Sequence, residues 1–332
     1  MVNGFFYFCL MLLRVQNLSL SYGDIKVLTE LSFSMEKGQI ICVLGESGCG
    51  KTSLLKAIRG FMDRDNGEIF FEDTRVFNKS EKLVPGTKGV AIVHQDFQLQ
   101  PGYTVYENIR HHLIQYDKTY QSSKTEEIIA ICHLESIRDK ASKELSGGQK
   151  QKVALAKAII EEPPLLLLDE PFSNLDNISK AEFKMILKNI VRNLKIGLLF
   201  VTHDSRDALT FSNEILIIQN GKLLKKGTAK ELTQKPPSKY AAHLLGLINI
   251  YSGKQLKQSF GGDYKLEKYY WLPQSSIKIE NGHDFNTINE EFLGNEFEYS
   301  FSNEKITLVY KTKVQIQEKS FNIKLSNPIL IE

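Results

Sequence analysis

One octapeptide limits the folds open to this chain of 332 residues. Gly45-Glu46-Ser47-Gly48-Cys49-Gly50-Lys51-Thr52 fits G-x-x-x-x-G-K-[ST], the phosphate-binding P-loop. Before it, Gln39-Ile40-Ile41-Cys42-Val43-Leu44 reads as a buried strand, and after it Ser53-Leu54-Leu55-Lys56-Ala57-Ile58 reads as a helix. That strand–loop–helix order is the context the motif needs. Glycines let backbone N–H groups turn inward on phosphate oxygens with no Cβ in the way. The helix N-terminus adds partial positive charge at the same place. Lys51 can reach β- and γ-phosphates, and the Thr52 hydroxyl can ligate Mg²⁺. A glycine-rich turn would match the pattern by accident in roughly one chain in a hundred of this length.

The formal net charge of +3 is too small to argue for nucleic acid or an anionic membrane as a partner. The four cysteines, Cys9, Cys42, Cys49 and Cys132, have neither metal-ligand nor paired spacing, which fits reduced thiols. The apolar run Phe5–Leu13 is too short for a membrane span, which needs about 20 residues. Residues 1–11 read as an N-terminal extension, best explained by a start codon assigned ten residues before Met11; an added strand or an interfacial anchor is the other reading.

From about Leu12 to Leu247 short strands alternate with helical patterns, so an α/β fold is expected. Gly67–Phe71, Gly89–Val93, Leu165–Leu168 and Gly197–Val201 have strand character, and the last two are continuous apolar runs, as in strands covered on both faces. Helical periodicity marks Lys124–Leu134, Gly147–Ile160 and Ser179–Leu194. Asn220-Gly221 signals a hairpin. Pro236-Pro237 then breaks the chain, and Ser238–Leu247 reads as a short helix. After Ile248 short β-like runs dominate: Tyr269–Leu272, Ser276–Ile279, Phe297–Phe301, Ile306–Tyr310, Val314–Gln317 and Phe321–Leu325. Residues 248–332 are therefore expected to form a small all-β unit, barrel or sandwich.

Two further motifs carry chemistry. Leu165-Leu166-Leu167-Leu168 should deliver Asp169 and Glu170 at the C-terminal end of a buried strand, where Asp169 can hold Mg²⁺ and Glu170 can polarise a water. Leu145-Ser146-Gly147-Gly148-Gln149 opens a helix that Ser146 is placed to cap, and its two glycines expose backbone N–H groups. Alone, each would more often be an ordinary strand end or helix start.

With these segments in order, residues 12–245 resemble the ATP-binding subunits of ABC transporters. On that resemblance the P-loop is Gly45–Thr52 and the Q-loop glutamine is Gln95, in Val93-His94-Gln95-Asp96-Phe97. Leu145–Gln149 is the signature, and Asp169 and Glu170 are the Walker B pair. Ser173-Asn174-Leu175-Asp176 is the D-loop, and His203 in Val201-Thr202-His203-Asp204 is the switch histidine. Tyr22, in Ser21-Tyr22-Gly23, matches the aromatic that stacks on adenine.

The resemblance implies a P-loop NTPase fold with a helical subdomain at about 97–160, followed by a small OB-like barrel similar to the transport-associated domain of importer ATPases. It implies that ATP contacts Tyr22, Gly45, Glu46, Ser47, Gly48, Cys49, Gly50, Lys51, Thr52 and Ser53, and that Thr52, Gln95 and Asp169 surround Mg²⁺. Two copies would pair head to tail, with Ser146, Gly147, Gly148 and Gln149 of one closing the site of the other. Glu170 would be the catalytic base, with His203 and Gln95 completing the catalytic set. Lys150-Gln151-Lys152 follows the signature where importers commonly end in Arg, which keeps the charge but not the bidentate geometry. The segment Gln98–Val105 resembles importer sequences that contact the permease. The implied partners are a second copy, integral membrane permease subunits and, indirectly, a periplasmic or lipoprotein solute-binding protein, with no nucleic acid. The implied location is peripheral, on the cytoplasmic face of the cell membrane. The phrases Glu170–Asp176 and Gly86–Gln95 lean toward the ferric-iron and polyamine branch. The competing readings are a soluble non-transport ABC ATPase and an exporter subunit; one cassette without a heptad run, and the β-like tail, disfavour both.

Overall fold

The computed structural model describes residues 11–303, 305–313, 315–316 and 320–331, with the side chains of residues 281, 282 and 321 excepted. Residues 1–10 of the N-terminal extension, Cys9 among them, lie outside the described residues, as do Val314 and Gln317 of the Val314–Gln317 run. The chain forms two compact units, the first ending at Gly227 and the second beginning at Thr228.

The first unit runs β1 (Met11–Tyr22), β2 (Ile25–Glu36), β3 (Ile40–Leu44), α1 (Lys51–Arg59), β4 (Asn66–Phe71), β5 (Thr74–Arg75), β6 (Val90–Val93), α2 (Val105–Arg110), α3 (Lys118–Ile131), α4 (Gly147–Ile159), β7 (Leu165–Asp169), α5 (Asn177–Leu194), β8 (Gly197–Thr202), α6 (Ser205–Phe211), β9 (Glu214–Gln219) and β10 (Lys222–Gly227). An antiparallel sheet has the order β2-β1-β4-β5. A second sheet has the order β10-β9-β3-β8-β7-β6, parallel from β9 to β6, with β10 added antiparallel. Between the sheets, Leu54, Leu55, Ala57 and Ile58 of α1 pack with Leu13, Val15 and Leu31 from one side and with Ile41, Val43, Leu165, Leu167, Leu199 and Val201 from the other. The alternate residues of those parallel strands are buried on the opposite face, where Phe200 meets Phe172 and Phe211 edge to face. Burial on both faces is why β7 and β8 read as unbroken apolar runs. Each such side chain contributes about 1.5–3 kcal/mol by burial.

The hairpin forms where Asn220-Gly221 places it, with φ of 48° and 74° as a type I′ turn requires. Helix α3 begins six residues before the periodic stretch, because Asp117 caps it by accepting from the Tyr120 N–H. In the α2–α4 region, the buried Asn108 amide donates to the carbonyls of Gln100, Tyr103 and Thr104 and to Ser142 Oγ, tying two loops to α2.

The second unit contains α7 (Ala229–Gln234), α8 (Lys239–Leu244), β11 (Ile250–Ser252), α9 (Gly253–Phe260), β12 (Tyr269–Trp271), β13 (Ile277–Phe292), β14 (Phe297–Ser302), β15 (Thr307–Thr312), β16 (Ser320–Leu325) and β17 (Ile329–Ile331). Its core gathers Leu256, Tyr270, Leu272, Phe285, Tyr299 and Phe301. Three expectations change here. The division falls at Gly227, ahead of Pro236-Pro237 and Ile248, because β10 is the last strand paired into the first unit's sheets. The tail is not all β: Ser252 and Gln255 form a capping box that starts α9, and Leu256 carries that helix into the core. Among the described residues, its strands lie in two antiparallel sheets, β11-β12-β17 and β15-β14-β13-β16, rather than in one barrel ladder.

Candidate functional site

The residues singled out in sequence gather at the carboxyl ends of adjacent parallel strands. In the sheet order β3-β8-β7-β6, the P-loop follows β3, His203 follows β8, Asp169 ends β7 and Gln95 follows β6. Open α/β sheets bind ligands along this edge.

The loop's shape depends on its glycines. Gly50 has φ of 100°, and a Cβ there would lie 2.6 Å from Leu28 Cδ2 and 2.9 Å from the Val27 carbonyl oxygen. At Gly45 a Cβ would lie 2.6 Å from Cys49 Sγ and 2.7 Å from the Ile218 oxygen. Lys51 is buried, and its Nζ donates to the carbonyls of Gly45 (2.8 Å) and Glu46 (2.9 Å), curling the loop around the ammonium. This cradle of small residues around a cation fits a polyphosphate. Cys49 is buried in the loop, and burial pushes its thiol pKa up, so it packs as a neutral thiol. Cys42, Cys49 and Cys132 are all free.

Thr52 Oγ1 donates to Asp169 Oδ1 at 3.2 Å, which puts the two oxygens proposed for a divalent cation side by side. Burial raises the Asp169 pKa; the Thr52 hydrogen bond opposes that rise and the Glu170 charge adds to it. A cation would relieve this cost. Glu170 Oε1 lies 3.0 Å from His203 Nδ1, with the carboxylate largely covered and the imidazole more than half exposed. The Glu170 backbone has φ of 51°, a left-handed conformation that costs a non-glycine residue about 1–2 kcal/mol. Its N–H donates to the Val201 carbonyl (3.1 Å), and its carbonyl accepts from Ser173 Oγ (3.0 Å), which together hold it there. Tyr22 is exposed beside the loop, its hydroxyl 3.4 Å from Ser53 Oγ.

The remaining candidates sit apart from this group. Gln95 is exposed and, among the described residues, makes no hydrogen bond to Thr52 or Asp169. Ser146 caps α4: its Oγ accepts from the Gln149 N–H, while Gln149 Oε1 accepts from the Ser146 N–H at 3.0 Å. The Gln149 carbonyl is thereby turned back on its own helix. Ser146, Gly147 and Gly148 line a cleft of about 370 Å³ with Asn174, Leu175 and Asp176, and no P-loop residue lines it.

A charged cluster that no sequence motif marks lies beside His203. Asp204 accepts from the N–H groups of Arg206 and Asp207 and so caps α6. Burial works against the Asp204 charge, but those bonds and Lys180 outweigh it, and its pKa is lowered. Lys180 of α5 reaches Asp204 (3.5 Å) and Asp207 (3.0 Å), and Lys184 reaches Asp207 at 2.9 Å. The spacing of Lys180 and Lys184 on one helical face was the available signal.

The ABC transporter family model matches residues 28–173. This segment is an ABC transporter ATPase domain. It contains the P-loop, Gln95, Leu145–Gln149, Asp169 and Glu170, while Tyr22 and His203 lie outside the match. A domain of this family binds and hydrolyses ATP, and the chain is an ATP hydrolase on that ground. Among solved structures, CbiO1 from Clostridium perfringens, described as part of the ABC transporter complex CbiONQ, superposes with a TM-score of 0.61. It is 24% identical, and the match covers 67% of this chain and 90% of that one. The likeness is one of fold. Among the described residues, no helix is long and apolar enough to cross a membrane.

Proposed function

We propose that this chain is the ATP-hydrolysing subunit of an importer, working as a head-to-tail pair against separate permease subunits at the cytoplasmic face of the membrane. One observation carries the hydrolytic part: Glu170 and His203 stand 3.0 Å apart beside the Thr52–Asp169 pair at one sheet edge. In this reading Glu170 takes a proton from the attacking water, and His203, bonded through Nδ1, holds that carboxylate in place. Lys51 and the Gly45–Gly50 N–H groups neutralise the phosphates, and Tyr22 stacks on the adenine. Mg²⁺, held by Thr52 and Asp169 and approached by Gln95, would spread charge over the β- and γ-oxygens.

Pairing is supported by the second cleft, whose glycine N–H groups and Ser146 hydroxyl have no P-loop beside them in their own chain. Permease docking is supported by a cleft of about 680 Å³ along edge strand β6, lined by Arg59, Phe97, Gln98 and Lys157 among others. The importer reading rests on the β-rich second unit and on Gln98–Val105; a transport-associated role for that unit belongs to the same proposal. Iron(III) and polyamines are the favoured cargoes.

The test is reconstitution of the purified chain with its permease and solute-binding protein in vesicles. ATP-dependent uptake of iron(III) or a polyamine supports the reading. Export alone, or nucleotide turnover that ignores every permease, replaces it with one of the two competing functions.

A further inference from the structure

The segment carrying Glu170 is gripped from an unexpected side. Pro171 supplies no N–H, and the residue before a proline is itself restricted, so Glu170 holds its left-handed backbone under two local disadvantages. Its neighbours must hold it there. From β8 comes the Val201 carbonyl, and from the following turn comes Ser173. The third contact comes from α4: Gln151 Nε2 donates to the Pro171 carbonyl, one residue from Glu170. Gln151 is 4% exposed, and Pro171 is buried. Next in the chain, Phe172 is wedged among Phe183, Phe200 and Phe211. A buried, neutral amide donating to one carbonyl is a poor device for general stability, because an apolar side chain would fill the space without needing a partner. It is a good device for fixing one peptide plane.

We infer that Gln151 is a positioning residue for Glu170: it fixes the Pro171 carbonyl and through it the direction of the base. Gln151 lies two residues after Gln149, in the opening turns of the helix that Ser146 caps. The same helix therefore carries the glycine N–H groups of the second cleft and the clamp on the chain's own carboxylate. A shift of α4 moves both. This inference rests on the reading of Glu170 as the base.

The experiment is a double-mutant cycle in the full-length protein between Gln151→Met, which keeps the length and removes the donor, and Glu170→Gln. Nucleotide affinity is read by equilibrium titration and the hydrolysis rate by single turnover with labelled ATP. Gln151→Met alone should lower the rate about tenfold to a hundredfold, the scale of a base displaced by a fraction of an ångström, with nucleotide affinity unchanged. In the Glu170→Gln background it should cost nothing further, since a residue acting through Glu170 has nothing left to position. Gln151→Glu has the same shape with an acceptor in place of the donor. It should repeat the loss, and it serves if the Met variant misfolds. A parental rate in the folded single variants overturns the inference, and so does an equal loss in both backgrounds. A Glu170→Gln variant that hydrolyses ATP at a near-parental rate removes the base assignment instead, and that outcome is read before Gln151 is touched.

Discussion

His203 Nδ1 and Glu170 Oε1 lie 3.0 Å apart, although the two residues leave different strands. Glu170 follows β7 and His203 follows β8, and the parallel register Asp169↔Val201 sets that spacing before either side chain is placed. The bond uses one imidazole nitrogen and, among the described residues, leaves Nε2 without a partner. One ring can thus hold the carboxylate and still meet a phosphate.

Glu170→Gln should bind ATP and turn over 10²–10⁴-fold more slowly, since removing a general base typically costs about that much. The amide can still accept from His203, so the variant should fold with the parent's melting curve. Steady-state phosphate release is the measurement, and near-parental turnover would remove Glu170 from the chemistry.

Lys51→Ala should fail one step earlier. The ammonium draws in the carbonyls of Gly45 and Glu46. Without it those oxygens oppose the phosphates that the loop must receive. Titration with a fluorescent ATP analogue should show a large loss of affinity; unchanged affinity with unchanged turnover would contradict the site.

Gly50→Ala tests the loop's backbone rather than its charge. The left-handed φ costs an alanine about 1–2 kcal/mol, and the methyl would meet Leu28 and Val27 besides. For a unit of this size that is a fall in Tm of about 2–8 °C by calorimetry. Nucleotide binding should fall with it. A variant that melts and binds like its parent would show that the loop readily takes another shape.

Pairing should require ATP and be clearest in Glu170→Gln, where hydrolysis cannot reset it. Ser146→Arg should abolish both the pair and turnover, because a long side chain would fill the cleft it lines with Gly147 and Gly148. Sedimentation velocity with and without ATP decides this: a Ser146→Arg variant that pairs as its parent does would refute a site shared between two chains.

The first unit was legible because its signals are local and covalent. Gly45–Thr52 must sit between a strand and a helix, and Leu165–Leu168 must be buried on both faces. The second unit was harder to read. Asn281-Gly282-His283-Asp284 looks like a turn, yet β13 runs through it, because a register shift pairs the backbones of both Asn281 and Phe285 with Phe321 on β16. In sequence Gln151 stands out only as a neighbour of the signature. Its partner, the Pro171 carbonyl, is a backbone atom, and no side-chain pattern announces a backbone acceptor.

A truncation ending at Gly227 should retain the nucleotide site. Each proposed contact from Tyr22 to His203 falls in the first unit, whose sheets close with β10 and, among the described residues, draw no strand from beyond it. Among the described residues, the hydrophobic cluster around α1 likewise uses none after Leu223. A truncation ending at Leu247 keeps α7 and α8 but removes α9 and the strands whose core includes Leu256 and Tyr299, so it leaves part of the second unit without its core. The shorter piece should therefore be the better behaved of the two. Yield alone cannot judge them, because a poorly soluble fragment can still hold an intact site. Active-site titration with a tight nucleotide counts folded molecules, and turnover per occupied site then compares each fragment with the full chain. Matching values for the Gly227 fragment place the whole catalytic apparatus in the first unit; a folded Gly227 fragment that binds no nucleotide would show that the second unit contributes to the site.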